Sequence, residues 1–321
     1  MNKRFLVGVD LGGTATKFAI LSPDGGLIHK WEIETDNRDH GKNIVPNIGK
    51  SIKEAFQSFN VKKEEVVGIG IGVPGPVDYA SGAVFHTPNL AWKDHYPLKQ
   101  AIEEQTGLPS AVENDANCAA LGEMWQGAGK DCKDLICITL GTGIGGGVIV
   151  GGKIVRGKGG AAGEIGHYTV DPEGSRCNCG KKGCLETIAS ATGIVRLALE
   201  KIENGIYDGL LKEKIAREGA ISAKDVFEQA KNGDSLCMEV VDFAAFHLGL
   251  ALANAANILN PEKIVIGGGV AKAGPFLLDK VNDAFSKFAF SKVRETTILS
   301  LAQLGHNAGV YGAASLAAKS W

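Results

Sequence analysis

Three short glycine turns constrain this chain more than any other feature: Gly12-Gly13-Thr14, Gly141-Thr142-Gly143 and Gly267-Gly268-Gly269. Each follows an apolar run of strand length, Arg4–Asp10, Asp134–Leu140 and Lys263–Ile266. Without a Cβ, a backbone at the end of a strand can bring its N–H groups up to an oxyanion. The first two turns lead into further strands, Thr16–Leu21 and Gly145–Val150, so the opening pattern of the chain recurs near its middle. Helical periods fill the remainder. They are read at Ile44–Phe59, Pro97–Thr106, Ala116–Trp125, Gly193–Asn204, Ser222–Ala230, Ser235–Leu259, Pro275–Phe288 and onward from Ala308. Strands alternating with helices predict an α/β architecture with mostly buried sheets and a duplicated strand-turn-strand core. A boundary near Asn114–Asp115 would give a small α/β lobe over 1–114 and a larger one over 115–307, with the terminal helix 308–321 able to pack back on the first. A cleft between two such lobes is where a small-molecule site is expected.

The glycine turns exclude two better-known nucleotide motifs. No Gly-x-x-x-x-Gly-Lys-Ser/Thr string is present, so this is not a P-loop chain. Gly141-x-Gly143-x-x-Gly146 matches the dinucleotide pattern but runs into the strand-like Val148-Ile149-Val150, where that pattern requires a helix. Any one turn could be a plain hairpin. All three, with Asp10 ending the first strand, read better as phosphate loops. Asp10 is suited to hold Mg²⁺ or its waters beside a nucleotide, and equally suited to cap the turn amides.

Near-neutral charge removes the electrostatic case for nucleic acid or an anionic membrane: the net charge is -2 over 321 residues. Met1-Asn-Lys-Arg leads directly into the first strand, with no signal-peptide core. No apolar run is read as approaching the ~20 residues of a membrane helix. Four of the seven cysteines, Cys118, Cys132, Cys137 and Cys237, sit among apolar neighbours as small hydrophobes would. The other three form Cys177-Asn-Cys179-Gly-Lys-Lys-Gly-Cys184, with His167 upstream. Three thiolates and an imidazole are enough to close a tetrahedral zinc shell. A disulfide fits poorly, because Cys177 and Cys179 are too near in sequence and one thiol would remain. The expected compartment is reducing and cytoplasmic.

Val112-Glu-Asn-Asp-Ala-Asn117 sets an acidic, amide-bearing turn between a strand and a helix. Asp115 is suited to accept a hydroxyl proton and Asn114 to bond a neighbouring hydroxyl, yet Asp and Asn are also the preferred helix N-caps. Glu164 and Glu186 bracket the cysteine loop, and Asn89 follows a rigid proline. Together with Asn114 they could ring a polyhydroxy ligand, although each alone reads as a surface residue.

In combination these residues resemble the ROK family of sugar kinases and repressors, in particular its bacterial glucokinase branch. The resemblance rests on Asp10-Leu-Gly-Gly-Thr14, Gly72-Val-Pro-Gly75, Glu113-Asn-Asp-Ala-Asn117, Leu140-Gly-Thr-Gly-Ile-Gly-Gly-Gly147, Gly163-Glu-Ile-Gly-His167, Cys177-x-Cys179-Gly-x-x-Gly-Cys184-x-Glu186 and Gly267-Gly-Gly269. It implies an actin-like ATPase (ribonuclease H-like) fold whose two lobes close on sugar and ATP, and a homodimer. It implies Asp115 as the base for a sugar hydroxyl, with Asn89, Asn114, Glu164, His167 and Glu186 around the sugar. It implies structural zinc on His167, Cys177, Cys179 and Cys184. Asp10, Gly12, Gly13, Thr14, Lys17, Thr142, Gly143 and Gly268 would face Mg-ATP. The function expected is ATP-dependent phosphorylation of a hexose 6-hydroxyl, with glucose foremost and mannose, fructose or an N-acetylhexosamine as alternatives. A sugar-sensing repressor is disfavoured, because such members carry a DNA-binding segment ahead of the first strand, which here begins at Phe5. A zinc-stabilised sugar-binding module would leave the glycine turns without a role.

Overall fold

The computed structural model describes residues 4–85, 87–205 and 209–318. The expected lead-in of Met1 to Lys3 and the last residues of the terminal helix lie outside them. The chain divides into two compact units, residues 1–133 with 147–163 and 304–321, and residues 134–146 with 164–303. The division therefore falls after Lys133 and not at Asn114–Asp115. The cause is the helix Asp115–Gln126, which packs on the terminal helix Ala308–Ala318 and on first-unit strands, burying Asn117 through Trp125.

The first unit is built on β1 (Phe5–Leu11), β2 (Ala15–Leu21), β3 (Leu27–Glu34), β4 (Val66–Val73) and β7 (Ser110–Asn114), in the order β3-β2-β1-β4-β7. The short β5 (Val77–Asp78) and β6 (Ala83–Val84) pair separately. β1 pairs antiparallel with β2 and parallel with β4. Its side chains alternate between two covered faces, which explains a strand with almost no polar residue. Val7, Val9 and Leu11 join a core with Ile44, Ile48 and Ile52 of the helix Ile44–Ser58. Leu6 lies in a second cluster with Trp125, Val310 and Ala314. The glycines of β4 admit the terminal helix: a Cβ on Gly70 would stand 1.6 Å from the carbonyl oxygen of Ala313. The edge strand β3 alternates exposed and half-buried residues instead.

The second sheet runs β10-β9-β8-β11-β12, with β8 (Leu135–Leu140), β9 (Ile144–Val150), β10 (Lys153–Ile154), β11 (Lys263–Gly267) and β12 (Ile298–Leu301). β11 is parallel to both β8 and β12, and β9 pairs antiparallel with β10. Counting only its own strands, each sheet is ordered third, second, first, fourth, fifth. The slight identity between the two halves thus conceals one topology used twice, which is the arrangement of an actin-like ATPase fold.

Helices of the second unit start on local caps. Ser222 and Asp225 form a reciprocal capping box at Ala223–Lys231, and Asp234 accepts the N–H of Cys237 at the head of Ser235–Leu259. The latter corrects the reading that no apolar run is long enough to span a membrane, since by length and composition this 25-residue helix is. It is a core helix by packing: Val240, Val241, Ala244, Leu248, Ala251 and Leu252 are buried, and it lies against the helices Ala223–Lys231 and Pro275–Phe288. Short helices at Glu186–Ala189, Leu210–Glu218 and Ser291–Thr296 carry too few periods to be read in advance.

Candidate active site

In the first unit, the turn between β1 and β2 is held from behind through its carbonyls. Gly12 accepts from the hydroxyl of Thr35 at 2.8 Å, Gly13 from the amide of Asn37, and Thr14 from the backbone N–H of Thr35 at 2.9 Å. Asp10, the penultimate residue of β1, lies on the same face as Leu6 and is the cross-strand partner of Lys17. Burial pushes its carboxyl above the ordinary aspartate value, and Lys17 only partly offsets this. Asn89, exposed on a 3-10 turn, lies beside the loop: a Cβ on Gly13 would be 3.1 Å from the Asn89 Cβ.

At the end of β7 the polar residues take distinct roles. The N-cap of the helix Asp115–Gln126 is Asn114, whose Oδ1 accepts the N–H groups of Ala116 at 2.9 Å and Asn117 at 3.2 Å. Its Nδ2 donates to the Gly75 carbonyl at 3.1 Å. The capping role weighed for Asp115 therefore falls to its neighbour. Asp115 is the first helical residue, half-buried, with Oδ1 2.8 Å from the N–H of Ala116. Glu113, which no site reading singled out, is 2% exposed and bonded to Arg156.

In the second unit, His167, Cys177, Cys179 and Cys184 converge, with ligand atoms all within 4.8 Å of one another. None of the seven cysteines forms a disulfide. The Cys177 Sγ to His167 Nδ1 distance is 3.6 Å, and so is Cys179 Sγ to Cys184 Sγ. A tetrahedron with metal–sulfur bonds of ~2.3 Å and metal–nitrogen bonds of ~2.0 Å has edges of roughly 3.5–3.8 Å, so the donor set fits zinc. Burial pushes the Cys177 thiol up and Cys184 to about 12, while the backbone N–H of Lys181 draws Cys179 down. Three thiols this close cannot all ionise unless a cation neutralises them.

Both bracketing acids touch this cluster. His167 Nε2 lies 3.9 Å from Glu164 Oε2, too far for a hydrogen bond. Glu186 Oε1 is 3.8 Å from Cys177 Sγ, and its Oε2 accepts the N–H of Ile144, next to Gly143, at 2.8 Å. Glu164 itself is exposed.

The other two glycine turns meet in this unit. Gly268 adopts φ +88°, and a Cβ there would be 2.4 Å from the carbonyl oxygen of Leu140. The Gly141 carbonyl accepts the N–H of Ala191, and that of Thr142 accepts the hydroxyl of Thr192 at 2.7 Å. Two cavities adjoin them. One of about 570 Å³ is lined by Thr142, Thr192, Arg196, Glu200 and Ser222. The other, about 470 Å³, is lined by Ala191, Ser222, Phe227, Lys231 and Gly269. Thr192, Ser222 and Lys231 were not read as site residues. Ser222 carried a signal only as a helix cap, and the others carried none.

The chain is 48% identical to the glucokinase of Halalkalibacterium halodurans over 313 residues, covering 97% of this chain and 94% of that one. It is 36% identical to the glucokinase of Thermotoga maritima, with 98% of each chain covered. Among solved structures, the ROK family glucokinase of Streptomyces griseus, in complex with glucose and AMPPNP, superposes with a TM-score of 0.79 at 35% identity, covering 97% of this chain and 98% of that one. The ROK family model matches residues 6–320, and the chain belongs to the ROK family.

Proposed function

We propose that this chain is an ATP-dependent glucokinase in which Asp115 takes the proton from the glucose 6-hydroxyl as that oxygen attacks the γ-phosphate. One observation carries the reading: near-full-length 48% identity to a glucokinase, in a chain with a braced carboxylate at a strand-to-helix turn. Phosphoryl transfer asks the protein for a positioned acceptor, a base and neutralised phosphate charge, and little covalent chemistry. Asn114, held at both ends of its amide, leaves Asp115 in a fixed place. Asn89 and Asn114 of the first unit, and Glu164, His167 and Glu186 of the second, are the polar groups assigned to the remaining hydroxyls.

The nucleotide is assigned to the glycine turns at Gly12, Gly13 and Thr14, at Thr142 and Gly143, and at Gly268. The second-unit cavities beside Thr142 and Gly269 take its base and ribose. Lys17 is assigned to phosphate charge. Asp10 fits Mg²⁺, because a divalent ion offsets the cost of a carboxylate that burial disfavours in its charged form. When bound, Mg²⁺ supplies neutralisation of phosphate charge. Zinc on His167, Cys177, Cys179 and Cys184 supplies structure, fixing the loop from which Glu164 and Glu186 reach out. We place the enzyme in a reducing cytoplasm, in keeping with its cysteines outside any disulfide. A homodimer is supported by an exposed aromatic face in the second unit, where Phe246 and Phe288 pack edge to face and Phe290 is 67% exposed.

A coupled assay with ATP and a panel of hexoses tests the reading. Highest kcat/KM on glucose is expected. No turnover of any hexose overturns the kinase, and a higher value on mannose or an N-acetylhexosamine overturns the substrate.

A further inference from the structure

We propose that Arg156 is a positioning residue for Asp115, acting through Glu113; this rests on the glucokinase reading above. The two partners lie 43 residues apart in sequence, and both belong to the first unit. Glu113 is 2% exposed, and a carboxylate that deep must have its charge and lone pairs engaged. Its Oε1 accepts the N–H of Asn114 at 2.9 Å and Nδ2 of Asn117 at 3.0 Å. Its Oε2 accepts Nε of Arg156 at 2.7 Å. The guanidinium of Arg156 in turn lies over the ring of Tyr79, 3.6 Å from its centroid.

These bonds converge on the residue before the proposed base. Asn114 is gripped at its backbone N–H by Glu113, at Oδ1 by two helix N–H groups, and at Nδ2 by the Gly75 carbonyl. On its other side, Asn117 is held by the same carboxylate. Asp115 thus sits between two residues that Glu113 fixes, and Glu113 is fixed by Arg156. Removing the guanidinium leaves a buried charge without its cation. The carboxyl must then take up a proton or turn toward water, and either response disturbs the bond to the Asn114 N–H. A displacement of about 1 Å at a catalytic group can cost on the order of 10²-fold. Arg156 therefore acts on the rate of proton removal, through Asp115, more than on sugar affinity, which it reaches only through Asn114.

The test measures kcat and KM for glucose on folded, full-length protein, normalised by circular dichroism and thermal unfolding. Arg156→Met is expected to lower kcat about 10- to 100-fold with KM for glucose within about threefold. Adding Glu113→Gln removes the orphaned charge, so the double variant is expected to recover part of the loss in kcat; a merely structural contact would couple the two residues in the unfolding midpoint and leave kcat unmoved. If Arg156→Met does not fold, Glu113→Gln carries the test alone, since its amide points a donor at the Arg156 donor; a fall in kcat of about tenfold is expected. Values of kcat within twofold of the parent in the folded variants overturn the proposal, as does a loss that appears wholly in KM. A parent chain inert toward glucose and ATP overturns the reading beneath it, and the proposal with it. An active parent with unaffected variants overturns the positioning role alone.

Discussion

The turn at Glu113–Asp115 and the loop at Cys177–Cys184 solve the same problem by opposite means. Each must hold polar side chains at fixed positions. In the first, the protein's own atoms supply the network: carboxylate to guanidinium, amide to backbone, cap to helix. In the second, His167 and the three cysteines point at one another, like donors facing like donors, and the loop's remaining support is short backbone bonds such as Cys177 N–H to the Lys181 carbonyl at 2.8 Å. The first arrangement forms as the chain folds, from the protein's own atoms, with Asn117 Oδ1 left buried and without a hydrogen-bond partner. The second becomes complete only when a cation replaces thiol protons, so it couples the position of Glu164 and Glu186 to metal supply. The difference is between preorganisation by burial and preorganisation by ligation.

The largest effect expected on this comparison is at the base itself. Asp115→Ala should lower kcat by about 10²–10⁴-fold while leaving most glucose affinity, because the bonds of Glu113 to Asn114, Asn117 and Arg156 do not pass through that carboxylate. Titration calorimetry with glucose, set beside turnover, checks this. Near-normal kcat removes Asp115 from the mechanism. Next comes the metal. Cys184→Ser, or prolonged chelation, should cost the bound zinc, lower the midpoint of thermal unfolding and reduce kcat through the two glutamates. Elemental analysis of parent and variant reads the metal directly. A variant that keeps one zinc per chain, or a parent that never held one, breaks the contrast between the two regions.

The third effect is a test of the glycine turns. Gly268→Ala places a Cβ at φ +88°, 2.4 Å from the Leu140 carbonyl oxygen, so both strain and collision oppose it. KM for ATP should rise about tenfold or more, with KM for glucose little changed. An equal rise for both substrates argues against a nucleotide role for this turn.

How far these regions were legible in advance follows from the range of their interactions. The cysteine–histidine cluster was readable because three of its four side chains lie within eight residues and the fourth is close by. The helix read from Ser222 was readable for the same reason, since its period and its capping box are both local. The Asp10 and glycine turns were readable because strand, turn and strand are contiguous. The Arg156–Glu113 pair was not, because nothing local ties an arginine in a glycine-rich segment to a glutamate 43 residues earlier. Nor were the cavities beside Thr142, whose walls come from separate segments near Ala191, Ser222 and Gly269. The lobe boundary was misplaced because Asp115 starts a helix, a local break, while the packing of that helix on Ala308–Ala318 is a long-range event. The apolar length of Ser235–Leu259 was passed over because its faces are scarcely distinguished, the mark of a helix buried on several sides.

The smallest effect separates positioning from plain stability. Asp225 belongs, like Glu113, to a polar network, but one in the second unit that meets the proposed nucleotide only through the cavity-lining Ser222 and includes no residue assigned to the sugar or the proton transfer: it accepts from Lys214 Nζ at 2.6 Å and from the Ser222 N–H at 2.8 Å. Burial pushes its carboxyl up, but the bonds from Lys214 and Ser222 outweigh this and hold it below the ordinary aspartate value. A folded-state value below the unfolded one means the stabilisation is present above about pH 4 and is lost as pH falls through the lower folded value. Asp225→Asn should therefore lower the unfolding midpoint by a few °C near neutral pH, in line with loss of a cap worth about 1 kcal/mol. Parent and variant should converge as the medium is made more acidic than pH 4, and at neutral pH any effect on turnover should fall on KM for ATP, through Ser222, with kcat little changed. If Asp225→Asn instead cut kcat as Arg156→Met is expected to, loss of any such network would slow the enzyme, and the special standing of the Glu113 turn would be gone.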